Sequence, residues 1–352
     1  MSRASTLEAT PRATAALTRP RASPGAARLL PALALAAGVL VLAALLSIAV
    51  GAHPVPLGTV WQALVHPGSS YDDTVVQSRI PRTVLGLLCG AALAVAGVVV
   101  QGLTRNPLGD PGLLGVNVGA STAIVVGLTF FGVGTGSARV WLAVPGALLA
   151  VVAVHALGSG RRGASPVRLV LAGAVVSAIL AAVIQAVTLT HPATFADYRF
   201  WVVGSLAGRD PGVVSQVLPV LISGGALTLL LPGALNALAL GDDTATALGV
   251  AVGRTRIVGA LAATLLCAGS TAAIGPIAFV GLAVPHIVRG FTGGDHRWLL
   301  PFSALLGPTL LLLADVVGRV VASPQELSVG VVTAFLGAPV LLLAVRRMRG
   351  RE

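Results

Sequence analysis

Apolar residues in this 352-residue chain form neither helical stripes nor strand-like alternation, but long unbroken runs. Each approaches the ~20 residues a helix needs to cross ~30 Å of hydrocarbon. Ten runs are predicted as membrane spans: Leu29–Val50, Thr83–Leu103, Leu113–Phe131, Val140–Leu157, Leu169–Leu189, Val213–Leu240, Ile257–Ala273, Ile274–Val288, Trp298–Val317 and Val329–Val345. Only a Gly-Pro break parts the seventh from the eighth. The second lies between Arg79-Ile80-Pro81-Arg82 and Arg105-Asn106-Pro107-Leu108. There Pro81 suits a first helical turn, where a missing N–H costs nothing, and Pro107 closes the other end. Leu29–Val50 is too long for the apolar core of a secretory signal and reads as a retained span. The pattern predicts an all-α polytopic membrane protein. Residues 1–28 are expected to form a disordered cytoplasmic tail, 29–345 a ten-helix domain with a cytoplasmic loop at 241–256, and 346–352 a second cytoplasmic tail.

Composition narrows the function. The chain is 55% hydrophobic and 10% charged, with a mean hydropathy of +0.92, against about 25% charged in soluble domains. All 23 basic residues are arginine. The absence of lysine excludes a Walker A phosphate loop and a lysine Schiff base. Cys89 and Cys267 lie in apolar runs and read as buried thiols. A net charge of +11 could point to nucleic acid, but the arginines are scattered over loops and tails. Topology explains them better: with the N-terminus inside, 17 arginines fall on cytoplasmic segments and 6 outside. That asymmetry places both termini in the cytoplasm.

The arginines left outside are Arg79, Arg82, Arg139, Arg199, Arg209 and Arg319. Arg79, Arg82 and Arg319 lie at external span ends, where they could snorkel to headgroups or receive carboxylates from a soluble partner, since guanidinium pairs bidentately with carboxylate. Asp315 is the one acid well inside a predicted span. Such a carboxylate is a candidate for a proton relay, but Arg319 four residues on makes a structural ion pair the leading reading. On the cytoplasmic side, Asp242-Asp243 opens a short piece in which Ala245 and Leu248 are expected on one helix face, with Gly249 allowing a sharp turn. No H-E-x-x-H or G-x-S-x-G motif occurs, and His286, a single histidine with no nearby Cys or Glu, reads as a hydrogen-bonded helix-end residue and not as a metal ligand.

Several motifs stand in order along the chain: the stretch Arg79–Ala120, the block Gly275–Arg289 (GPIAFVGLAVPHIVR), Asp295-His296-Arg297, Ala314-Asp315 with Arg319, and Gly330-Val331-Val332 with Gly337-Ala338-Pro339. Together they resemble the FecCD-type permeases, membrane subunits of binding-protein-dependent ABC importers for iron-siderophores, haem and vitamin B12. The resemblance implies a type II ABC importer permease fold of ten helices in a bacterial cytoplasmic membrane, and a transporter subunit rather than an enzyme. It implies that Arg79, Arg82 and Arg319 dock an extracytoplasmic binding protein. It gives Asp242, Ala245, Leu248 and Gly249 the coupling contact with cytoplasmic ABC ATPase subunits. Asn106 and Leu108, with Gln101, become candidates for the translocation path and its inner gate. The path then follows the two-fold axis of a dimer with a second permease subunit, identical or related. The chain itself binds no cofactor or metal; ATP and Mg are used by the partner ATPase. An iron-siderophore-like chelate is the expected cargo. A proton-coupled secondary transporter using Asp315 is the runner-up.

Overall fold

The computed structural model describes residues 26–66, 68–132, 138–160, 163–164 and 166–349. The expected tail up to residue 25, most of the Gly-rich turn after Phe131, Arg161 and Arg162 of the next connection, and the last three residues lie outside them. The described chain is helical apart from a two-residue antiparallel pairing of Ser159–Gly160 with Gly163–Ala164.

The helices are α1 (Ala26–Ala49), α2 (Leu57–Val65), α3 (Tyr71–Thr104), α4 (Val116–Phe131), α5 (Ala138–Gly158), α6 (Pro166–Thr190) and α7 (Pro192–Trp201). They continue with α8 (Gly212–Leu229), α9 (Pro232–Leu238), α10 (Asp242–Ala247), α11 (Val252–Ile274), α12 (Val280–Thr292), α13 (His296–Val321) and α14 (Val329–Arg349). Seven of them, α1, α3, α5, α6, α8, α11 and α13, are long and apolar enough to cross a membrane alone, while α4 and the first part of α14 are shorter apolar helices.

Three predicted spans need correction. The second starts at Tyr71, twelve residues earlier than expected, because Ser70 and Asp73 form a capping box: the Asp73 N–H donates to Ser70 Oγ and the Ser70 N–H to Asp73 Oδ2, each at 3.2 Å. Pro81 is therefore interior to α3. At 34 residues the helix is about 51 Å long, well over the ~30 Å of hydrocarbon it has to cross. The sixth span breaks at Leu230–Leu231, because Pro232 lacks the N–H that would continue α8 and instead opens α9. The eighth begins at Val280, not Ile274. Gly275 takes φ +81° ahead of Pro276, and the chain stays non-helical to Phe279. Backbone of that kind is tolerated at membrane depth only inside protein; here Gly275 packs on Trp201 and Gly204, and the Ser205 N–H donates to Ile274 O at 2.8 Å.

At the centre, α3 packs on α13, α11 and α12. Lipid offers no hydrophobic drive to press these helices together, so contact depends on backbones approaching over small residues. Gly90 lies against Gly307 and Pro308 of α13, and Gly97 against Gly281 of α12, so closely that a Cβ at either position would strike backbone. The α1 and α6 helices turn most of their apolar surface outward, with Leu35, Leu45, Leu171 and Ile179 exposed.

Candidate functional site

At the outer face, the upper part of α3 and the end of α13 enclose a cavity of about 680 Å³, lined by Arg79, Arg82, Arg209, Arg319 and Glu326 among others. Its charges are mostly engaged within the chain. Arg82 forks onto Asp315, Nε and Nη2 each donating at 2.8 Å, and Arg319 Nη2 reaches the same carboxylate at 2.9 Å. Asp315 is only 1% exposed. The remaining corner of Arg82, Nη1, donates to Glu326 Oε2 at 2.7 Å.

Arg79 and Arg319, expected to face a soluble partner, are buried and serve α1. The last carbonyls of a helix lack intrahelical donors, and α1 ends with no basic residue of its own. Arg79 Nη1 donates to Ile48 O and Ala49 O at 3.0 and 2.9 Å, and its Nη2 to His53 O at 2.7 Å. Arg319 Nη1 donates to Ser47 O and Val50 O at 2.8 and 2.9 Å. Two cations at a helix C-terminus also complement its dipole. They fasten α1 to α3 and α13, leaving Arg82 as the member of the trio with a carboxylate partner on the outer connection.

On the inner side, α3 ends at Arg105 in the left-handed conformation (φ +51°). Asn106 Oδ1 then accepts the Leu108 N–H at 2.9 Å, which fixes the Asn-Pro-Leu turn. Asn106 borders a cavity of about 310 Å³ shared with Asp110, Leu114 and the start of α6. Burial pushes the Asp110 carboxyl above its ordinary range, opposed by the Gly112 N–H it accepts at 2.7 Å. Gln101 does not open onto this space. It is enclosed between α3 and α12, where Nε2 donates to Gly281 O at 3.3 Å and Oε1 accepts from Arg289 Nη1 at 2.9 Å. Its role in the structure is a clasp between helices.

The cytoplasmic piece is a single short helix, α10, held from both sides. Asp242 accepts from Arg256 Nη2 at 2.8 Å and pairs with Arg105 Nη2 at 3.2 Å, tying α10 to the start of α11 and the end of α3. It ends in a Schellman turn: the Val250 N–H donates to Ala245 O and the Gly249 N–H to Thr246 O, both at 2.9 Å, with Gly249 at φ +81°. That turn separates two residues expected on one face. Ala245 is fully buried against the bundle, while Leu248, at the C-cap, is 63% exposed. Leu248 and Gly249 are thus exposed at the end of the piece, together with Asp243, Thr244, Thr246 and Ala247.

Sequence reasoning missed Glu326, Arg289 as the partner of Gln101, and the clasp in which Asn236 of α9 donates to Asp295 Oδ1 at 2.6 Å and accepts the His296 N–H at 2.9 Å. Arg289 and Asp295-His296 stood inside motifs already singled out, but the helices they join could not be read from those motifs.

A bundle of apolar, membrane-length helices with a charged outer mouth and a short helix on the inner side is the architecture of a transport permease. Comparisons with known proteins make this specific. Residues 39–347 match the profile of the FecCD transport family. The chain is 50% identical over 312 residues to the ferric enterobactin transport system permease protein FepD of Escherichia coli (strain K12), covering 88% of this chain and 93% of that one. It is 41% identical over 309 residues to the Fe(3+) dicitrate transport system permease protein FecD of the same organism, covering 87% and 95%. Among solved structures, a metal-chelate type ABC transporter in an inward-facing conformation superposes with a TM-score of 0.77 at 28% identity, covering 91% of this chain and 99% of the other. The chain belongs to the FecCD transport family. It is a multi-pass membrane permease subunit of an ABC importer, which implies an ATPase and a binding protein as partners.

Proposed function

We propose that this subunit conducts a ferric siderophore chelate of the catecholate class, passed to it by an extracytoplasmic binding protein and driven by ATP hydrolysis on separate cytoplasmic subunits. The cargo reading rests on the 50% identity to a ferric enterobactin permease. It also fits the outer cavity: a tris-catecholate iron complex is anionic, and four arginines line the mouth it would pass. Arg82 is the docking residue for a binding-protein carboxylate, with Arg79 and Arg319 bracing the helices behind it. Leu248 and Gly249 form the ATPase contact, and Asn106 and Leu108 stand at the inner end of the path. ATP and Mg belong to the ATPase, and the path runs between this chain and a second permease subunit.

The enclosure of Asp315 by Arg82 and Arg319 is the observation that carries this reading over the proton-coupled one. Two guanidiniums lie within 3 Å of the carboxylate and join it in a buried ion-pair cluster that ties α3 to α13, a structural use of the group. Uptake of radiolabelled iron by the reconstituted complex tests the cargo class. A ferric catecholate should be transported and should outcompete ferric dicitrate and cobalamin; preference for either competitor would overturn the assignment.

A further inference from the structure

The hydrogen bonds of the outer mouth divide into permanent and exposed ones. Arg79 and Arg319 hold helix carbonyls, and Arg82 holds the buried Asp315 through two of its three nitrogens. The third corner of Arg82, Nη1, meets a carboxylate that solvent can reach. Glu326 lies on the connection between α13 and α14 with its side chain 32% exposed. The backbone that follows it is anchored: the Leu327 N–H donates to Gly318 O at 3.0 Å and the Gly330 N–H to Gly204 O at 3.1 Å. The Glu326 side chain can therefore leave Arg82 by rotation about its own bonds, without unfolding the connection.

We infer that Glu326 is an internal stand-in for the binding protein's docking carboxylate, occupying the outward corner of Arg82 in the free permease and displaced when the binding protein arrives. This rests on the docking role proposed above for Arg82. A second carboxylate brought to the outward Nη1 of Arg82 would sit against Glu326, and the repulsion of the two like charges favours displacement of Glu326 over sharing. Docking is then an exchange of one ion pair for another. The exchange lowers the net gain from the contact, so an idle permease releases its binding protein more readily. It also unfastens α3 from the α13–α14 connection each time the partner seats.

The test compares binding-protein affinity for the intact permease–ATPase complex in nanodiscs, using the purified binding protein that sustains uptake in the reconstituted assay. Glu326→Gln removes the competing charge and should tighten binding about two- to fivefold, the range of a partly exposed ion pair. Asp197→Asn, on exposed α7 at the same face, makes the same charge change away from Arg82 and should leave affinity unaltered. Arg82→Lys keeps a cation for Asp315 but loses the fork, and should weaken binding. If Glu326→Gln fails to tighten binding while Arg82→Lys weakens it, the stand-in role is wrong and the docking role survives. If Arg82→Lys changes nothing, the docking role fails and the inference fails with it. Equal tightening by Asp197→Asn would show a long-range field effect and would also overturn the inference.

Discussion

Asp315 concentrates the energetics of the outer mouth. A buried carboxylate costs several kcal/mol to desolvate, and here three charge-assisted bonds from two arginines offset that cost. Removing the carboxylate leaves two enclosed cations facing each other. Asp315→Asn should therefore destabilise the subunit by about 3–5 kcal/mol, seen as a lower midpoint of thermal unfolding in detergent. Glu326→Gln, which breaks an outer pair, should cost no more than about 1 kcal/mol. Equal midpoints for the two variants would contradict this division. The sequence could show Asp315 and Arg319 as neighbours because they are four apart on one helix. Arg82 and Glu326 were not legible as partners: they are 244 residues apart, and Arg82 and Asp315 are 233 apart. No local pattern encodes a contact made only when α3 and α13 pack.

The existence of the long helices was legible because a lipid-facing element needs an unbroken apolar run, whereas their ends follow from caps and breaks that hydropathy does not register. Ser70-Tyr71-Asp72-Asp73 carries a capping box in plain view, yet it sits in a polar stretch that hydropathy assigns to a loop. Pro232 marks a break that hydropathy alone allows a helix to run through, and the Gly275-Pro276 break, visible in the sequence, extends further than hydropathy shows, to Phe279. The α10 helix shows the limit most clearly. A spacing of three suggests a shared face, but the Schellman turn rotates Leu248 outward while Ala245 stays inside. Leu248→Asp should therefore leave the fold intact and weaken ATPase binding by about tenfold or more, as expected of a contact residue. Unchanged co-purification with the ATPase would remove Leu248 from the interface. Between α3 and α12, Gly97→Leu should prevent the close approach to Gly281 and destabilise the bundle by about 1–3 kcal/mol or more. A wild-type unfolding midpoint would contradict the packing described for this pair.

At the scale of the whole molecule, the groups that could carry energy are absent or locked. The chain has no lysine for a phosphate loop, its intramembrane carboxylate is clamped by two arginines, and Gln101 is spent on joining α3 to α12. The groups proposed to meet partners lie at the two faces: the outward corner of Arg82 and the exposed end of α10. A subunit built this way is worked from outside itself, in keeping with its membership of the FecCD transport family. The most direct test is uptake of ferric catecholate into proteoliposomes containing this permease. Accumulation should require the ATPase, ATP and the binding protein together, and an imposed pH gradient without them should drive none; uphill uptake on the pH gradient alone would contradict the account.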